Sequence, residues 1–149
     1  MNITAFSDYS LRILIYLAAN ENQKSTAEEV ATAYKISFHH VAKAAQWLVR
    51  HEYLISERGR GGGIRLAKSP KDINIGDVLA STEANTSLVD CMKPGGGTCC
   101  IRPACGLKLA LAEAEAAFFD VLKKFTLADV TTQKSALAKL LISVEESPS

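Results

Sequence analysis

The sequence predicts a mainly α-helical fold with one small β-hairpin: a winged helix-turn-helix domain followed by a long dimerisation helix. Three observations carry this expectation. Helical periodicity recurs three times before residue 51, a glycine-rich run separates two short β-prone segments, and an apolar near-heptad runs from 107 to 125. With 149 residues and 48% hydrophobic content, the chain can bury one core of ordinary size. The expected organisation is a winged helix-turn-helix over 1–82, a cysteine-rich loop over 83–106, and the dimerisation and C-terminal helices over 107–149.

Residues 7–19 read as the first helix, with Ser7 or Asp8 as its cap and Leu11, Leu14, Ile15 and Ala18 on one face. After a break at 20–24, Ser25 or Thr26 caps a short second helix. Its acids Glu28 and Glu29 sit in the first turn, where the helix dipole favours them, and Val30, Ala31 and Tyr34 form its buried side. Ser37 caps a third helix reaching His51, with Val41, Ala44, Ala45, Leu48 and Trp47 facing inward. Two helices joined by the short turn at Lys35-Ile36 make a helix-turn-helix pattern.

The next segment discriminates. Strands over 53–56 and 64–67 flank Glu57-Arg-Gly-Arg-Gly-Gly-Gly63, a hairpin with a glycine tip, which after a helix-turn-helix is a wing. Glycines admit positive φ and leave no side chain to clash with a sugar-phosphate backbone. No Gly-Lys-Ser/Thr follows, and a strand rather than a helix comes next, which excludes a P-loop and a dinucleotide fingerprint. From Lys35 to Lys71 the chain carries eight Lys or Arg against Glu52 and Glu57, a local balance of +6 inside a protein of net charge +1. Such a segment fits a nucleic-acid face. The candidate DNA contacts are Ser37, Phe38, His39, His40 and Lys43 at the start of the third helix, with Arg58, Arg60 and Arg65 on the wing. His39 and His40 point about 100° apart on a helix and make a poor metal pair.

In the C-terminal half a short helix is expected over 75–81. A long one then begins at Pro103 or Ala104 and reaches Phe125, with Leu107, Leu111, Ala114, Phe118, Leu122 and Phe125 on its seam and Ala110, Ala117 and Val121 widening it. So apolar a helix calls for a partner surface, and a symmetric homodimer supplies one that also suits palindromic double-stranded DNA. A further short helix starts at 126–130. Leu137, Leu140 and Leu141 mark the last helix, and fraying is expected from Glu145.

All four cysteines, Cys91, Cys99, Cys100 and Cys105, lie on one Gly- and Pro-rich loop. No apolar run is long enough for a membrane span and no signal peptide is visible, so a cytoplasmic protein with reduced thiols is expected. The gaps between the cysteines are seven, none and four residues, which argues against a zinc ribbon. A redox disulfide or electron-transfer role stays open beside an iron–sulfur cluster. Adjacent Cys99 and Cys100 rarely both bind one small cluster, so three ligands and one spare thiol are expected. No general base, nucleotide loop or substrate motif points to an enzyme.

Taken in order, Phe6-Ser-Asp8-Tyr9-Ser-Leu-Arg12, Arg58-Gly-Arg-Gly-Gly-Gly-Ile-Arg-Leu66, Ile75-Gly-Asp-Val78 and the cysteine loop resemble the Rrf-type winged-helix iron–sulfur transcription regulators, over nearly the whole chain. The resemblance implies a repressor that binds operator DNA. It implies one cluster per subunit, 4Fe-4S rather than 2Fe-2S, held by Cys91, Cys99 and Cys105. Cys100 is an extra thiol, and its use in place of Cys99 stays open. Members that sense cluster status carry a histidine shortly after the last cysteine, and Gly106-Leu107-Lys108 has none. Nitric-oxide-sensing members carry an aspartate near the start of the first helix, and Asp8 stands there. The resemblance thus implies that Asp8 of the partner subunit is the fourth ligand and nitric oxide the signal, with iron or cluster-status sensing as the alternative. Against this stands the plain reading of Asp8 as a helix cap.

Overall fold

The computed structural model describes residues 1–142, so the expected fraying from Glu145 lies outside the described residues. Among the described residues, seven α-helices and one two-stranded sheet follow in the order α1 (Ala5–Ala19), α2 (Ala27–Tyr34), α3 (Phe38–Arg50), β1 (Leu54–Glu57), β2 (Gly63–Leu66), α4 (Ile75–Thr82), α5 (Gly106–Leu122), α6 (Leu127–Val130) and α7 (Lys134–Ile142). None of these helices is long and apolar enough to cross a membrane.

The core forms where α1 is wrapped by α3, α4, α6 and α7. Ile13, Leu14, Leu17 and Ala18 of α1 meet Val30 and Ala31 of α2, Val41, Ala44 and Leu48 of α3, Leu54 and Ile64 of the hairpin, Val78 of α4 and Leu127 of α6. The inward face of α3 is the one its periodicity predicts. That of α1 is rotated: Ile13 and Leu17 are buried, whereas Leu11 and Ile15 are only partly so. Helices pack against α1 from several sides, so its apolar face is wider than a single stripe.

The cap of α1 is a correction. The helix starts at Ala5, and its N-cap is Thr4, whose hydroxyl accepts from the Ser7 amide at 3.2 Å. Neither Ser7 nor Asp8 caps it. Ser7 is instead fully buried. For α2 the expectation of Thr26 holds, with a reciprocal capping box: Thr26 Oγ1 accepts from the Glu29 amide at 3.1 Å, and Glu29 Oε2 accepts from the Thr26 amide at 2.7 Å. Ser37 stands at the N-cap of α3 but makes no side-chain cap bond.

The long helix is shorter than its apolar pattern. Arg102–Ala104 forms a separate 3-10 turn, Cys105 is extended (φ −79°, ψ 103°), and α5 begins at Gly106. At its far end α4 docks. The Asn74 amide group donates to Lys123 O at 2.7 Å, and the Ile75 N–H donates to Phe125 O at 3.0 Å. Gly76 lies so close to the Lys123 backbone that a Cβ there would collide with it. Helices α6 and α7 then return to α1, which brings Leu127 and Leu141 into buried positions.

Candidate functional site

The candidate nucleic-acid face is built from local signals. Lys35 adopts the left-handed conformation (φ 56°) and the Ile36 N–H donates back to Ala31 O at 3.0 Å, which ends α2 and turns the chain into α3. Ser37, Phe38, His39, His40 and Lys43 all lie exposed on the first turns of α3, and Phe38 keeps 55% of its surface open. His40 is not isolated: its ring stacks on Tyr9 of α1 at 6.0 Å and 21°.

The wing pairs in the register Leu54↔Leu66 to Glu57↔Gly63. A third segment braces it, because Ser25 exchanges backbone bonds with Ile64 at 3.1 and 2.7 Å. At the tip Gly59 and Gly61 hold φ of 90° and 69°, and a Cβ on Gly62 would run into the Glu57 carbonyl. Glu57 pairs with both Lys24 and Arg65, the latter at 3.3 Å. Hydrogen bonds from Lys24 and then Arg65 hold its carboxyl below the usual range. The charge of Arg65 is therefore offset within the hairpin, whereas Arg58 and Arg60 have no acidic partner among the described residues.

The cysteine loop leaves α4 and folds back on itself. Cys91 lies in a 3-10 turn, Asp90–Met92, and is partly buried. Gly95, Gly96 and Gly97 follow with φ of 85°, 25° and 28°. Arg102 Nη1 donates to Gly96 O at 2.6 Å and its guanidinium covers Gly96 so closely that a Cβ would sit 2.7 Å from Nη2. Gly97 is thereby folded against Cys91. Cys99 and Cys100 are exposed, Cys105 at the start of α5 is partly buried, and all four thiols are free.

Free thiols on one loop are the donor chemistry an iron–sulfur cluster takes. Among the described residues, however, no three His, Cys, Asp or Glu side chains converge on one point as a metal site. The structure thus supplies the donor set and the folded loop, not a closed coordination shell. Asp8 lies on α1, away from any capping duty, since Thr4 fills that role; its Oδ2 is 2.9 Å from Arg12 Nε.

Sequence reasoning missed one group. Glu83, at the C-cap of α4 where the cysteine loop departs, is buried and accepts from the Thr4 amide at 2.7 Å, from Thr4 Oγ1 at 2.8 Å, from Thr86 Oγ1 at 2.6 Å and from the Ser7 hydroxyl. Burial alone would raise its carboxyl, but donors from Ser7, Thr86 and Thr4 outweigh this and hold it below the usual range. It ties the first turn of α1 to the start of the cysteine loop, beside an open cavity of about 390 Å³ lined also by Ile3, Leu88, Phe118 and Phe119. No local pattern announces a carboxylate two of whose partners, Thr4 and Ser7, lie 79 and 76 residues away.

Comparison with known proteins agrees with this arrangement. The HTH-type transcriptional regulators NsrR of Halalkalibacterium halodurans and Bacillus subtilis are each 44% identical to the chain over 142 residues, covering 95% of it and 97% of the relative. That of Shouchella clausii is 43% identical, covering 95% of each. Among solved structures, the global cysteine regulator CymR of B. subtilis superposes with a TM-score of 0.67 at 23% identity, covering 89% of this chain and 98% of that one. IscR of T. potens gives 0.69 at 19%, covering 89% and 88%. These two likenesses establish the winged-helix fold. Residues 3–133 match the Rrf2 family, described as iron-dependent transcriptional regulators, and the chain belongs to that family of DNA-binding transcription regulators.

Proposed function

We propose that this regulator is a homodimeric repressor that senses nitric oxide through an iron–sulfur cluster, and that modification or loss of the cluster releases a palindromic operator. The observation that carries the reading is the cysteine loop itself. Cys91, Cys99 and Cys105 are free, stand on one folded segment, and lead directly into an apolar helix whose outer face is uncovered. Similarity to the NsrR regulators supports nitric oxide as the signal.

Cys91, Cys99 and Cys105 would hold one 4Fe-4S cluster per subunit, with Asp8 of the partner subunit as the fourth ligand. When bound, the group supplies iron that a small molecule reaches more readily beside a carboxylate than beside a thiolate. The chain's own residues connect such a site to DNA. Asp8 and Tyr9 are neighbours on α1, Tyr9 stacks on His40 of α3, and Glu83 ties the same end of α1 to the loop. A shift of the α1 N-terminus relative to a second subunit is thereby passed to the DNA-reading helix. A cytoplasmic setting keeps the thiols reduced.

Anaerobic purification followed by absorption and Mössbauer spectroscopy tests this. The expected result is a coloured protein that loses operator affinity when titrated with nitric oxide. A colourless, iron-free protein that binds its operator equally well would sink the cluster. The family's description as iron-dependent favours a second reading, iron sensing. In that case chelation releases DNA and nitric oxide on intact holo-protein does not.

A further inference from the structure

One side chain holds the thiol loop shut. Seven residues separate Cys91 from Cys99, enough free chain to let the two thiols drift apart. Yet Gly97 folds back on Cys91, so that a Cβ on Gly97 would stand 3.5 Å from Cys91 Cα. Arg102 closes the loop from its far side. Its Nη1 donates to Gly96 O at 2.6 Å, and its backbone N–H donates to Cys99 O at 3.2 Å. The turn it opens, Arg102–Ala104, leads directly into Cys105. A single residue thus joins the segment after Cys91, the Cys99 carbonyl and the turn before Cys105. Glycine at 96 makes the clasp possible: its φ is 25°, and a Cβ there would lie 2.7 Å from Nη2. Gly95 differs, since its φ is 85° but a Cβ there would meet open space. Of the two cations between Asp90 and Cys105, Lys93 is paired with Asp90, whereas Arg102 has no acidic partner among the described residues.

We propose that Arg102 is a positioning residue of the cluster site: by clasping Gly96 it holds Cys91 beside the segment of Cys99 and Cys105, and so sets how firmly the loop retains a cluster. The inference rests on the cluster reading and deepens it. Bringing distant ligands together costs entropy that grows with the length of free chain between them. Without the clasp, the whole stretch from Cys91 to Cys105 must be ordered as the ligands gather. With it the middle is ordered beforehand, and less freedom is left to lose. Arginine suits the task, because its planar guanidinium covers a peptide unit while donating to the carbonyl and stays charged at any working pH. No carboxylate competes for it, and its charge offsets that of a thiolate donor set.

The test follows loss of the cluster from anaerobically reconstituted, full-length protein in excess ferrous-iron chelator, read as decay of visible absorbance. Arg102→Ala should lose its cluster about three- to tenfold faster than wild type, the range expected for one charge-assisted hydrogen bond at an exposed site. Arg102→Lys, which restores a cation able to donate to Gly96 O, should recover most of that difference. Urea unfolding of the apo-proteins should be the same in all three, since Arg102 is exposed and outside the buried core. Two glycine variants then locate the effect. Gly95→Ala and Gly96→Ala both place a side chain on a left-handed backbone, but only the Gly96→Ala methyl displaces the guanidinium. Gly96→Ala should therefore lose cluster faster than Gly95→Ala, and in an Arg102→Ala background that gap should largely close. Equal rates in Arg102→Ala and wild type overturn the clasp and leave the cluster reading intact. So does a faster loss that Arg102→Lys fails to reverse, or one accompanied by a destabilised apo-protein. A wild type that takes up no iron and sulfide into a coloured form overturns the cluster reading and the clasp together.

Discussion

Helices α3 and α5 solve the same problem in opposite ways. In 13 residues α3 buries Val41, Ala44, Ala45 and Leu48 and turns a polar, cationic side to solvent. In 17 residues α5 buries none fully, although it is the more apolar of the two. Leu107 and Leu109 are 66% and 73% exposed, and Leu107, Ala110, Ala114, Ala117 and Val121 form an uncovered stripe at heptad spacing. Burying one such leucine contributes about 1.5–3 kcal/mol, so α5 leaves much of its own stabilisation unrealised within one chain. The core around α3, to which Leu127 of α6 also belongs, is therefore closed within one chain, while α5 is left open for the second copy proposed above. A protein divided this way can let a signal act on its assembly without melting its reading head.

The largest expected effect tests that division. Leu48→Ala should cost about 2–5 kcal/mol by equilibrium urea unfolding, because its cavity lies in a fully enclosed core. Leu107→Ala should act through the second copy, so its cost should depend on protein concentration. Unfolding curves at two concentrations separate the cases, and an equal response in both variants would erase the contrast.

Glu83 joins the two halves and gives the next effect. Glu83→Gln removes a charged acceptor shared by Thr4, Ser7 and Thr86 and should cost about 1.5–3 kcal/mol at neutral pH. Because its folded carboxyl lies below the usual range, the stabilisation is present above the unfolded value and disappears as pH falls through the folded one. Stability profiles of wild type and Glu83→Gln should thus converge in acid. A gap that persisted at low pH would assign the loss to packing. Smaller still is Thr26→Ala, which opens the capping box of α2 for about 1 kcal/mol, measurable as a lowered thermal midpoint.

What sequence made legible follows the same line. The α2 cap, the inward face of α3 and the wing are written in local patterns: a Thr-x-x-Glu box, a helical repeat, a glycine tip. The start of α1 was obscured because Thr4, Ser7 and Asp8 all have capping chemistry and only burial decides among them: Ser7 is drawn inward by Glu83. The end of α5 was overrun because its apolar pattern continues past Leu122, while the stop is set by Asn74 and Gly76 docking from α4. For the cysteines, residue type and spacing expose the donor set, but no spacing says how a glycine-rich loop folds. The clasp of Arg102 over Gly96 shows part of the answer.

The smallest expected effect concerns the spare thiol. Cys99 and Cys100 are adjacent and both exposed, so burial does not distinguish them. Their backbones differ: the Cys99 carbonyl accepts from the Arg102 N–H at 3.2 Å, which builds Cys99 into the turn that precedes α5. Cys100→Ser should therefore leave cluster absorbance per dimer unchanged, whereas Cys99→Ser should bleach it. Both should unfold within about 0.5 kcal/mol of wild-type apo-protein, because neither side chain contributes to the buried core. If Cys100→Ser bleaches and Cys99→Ser does not, the ligand set shifts to Cys91, Cys100 and Cys105. An unfolding shift in either variant would be more consequential, since it would show that the cysteine loop supports the DNA-reading half directly and that the two regions are not energetically separate.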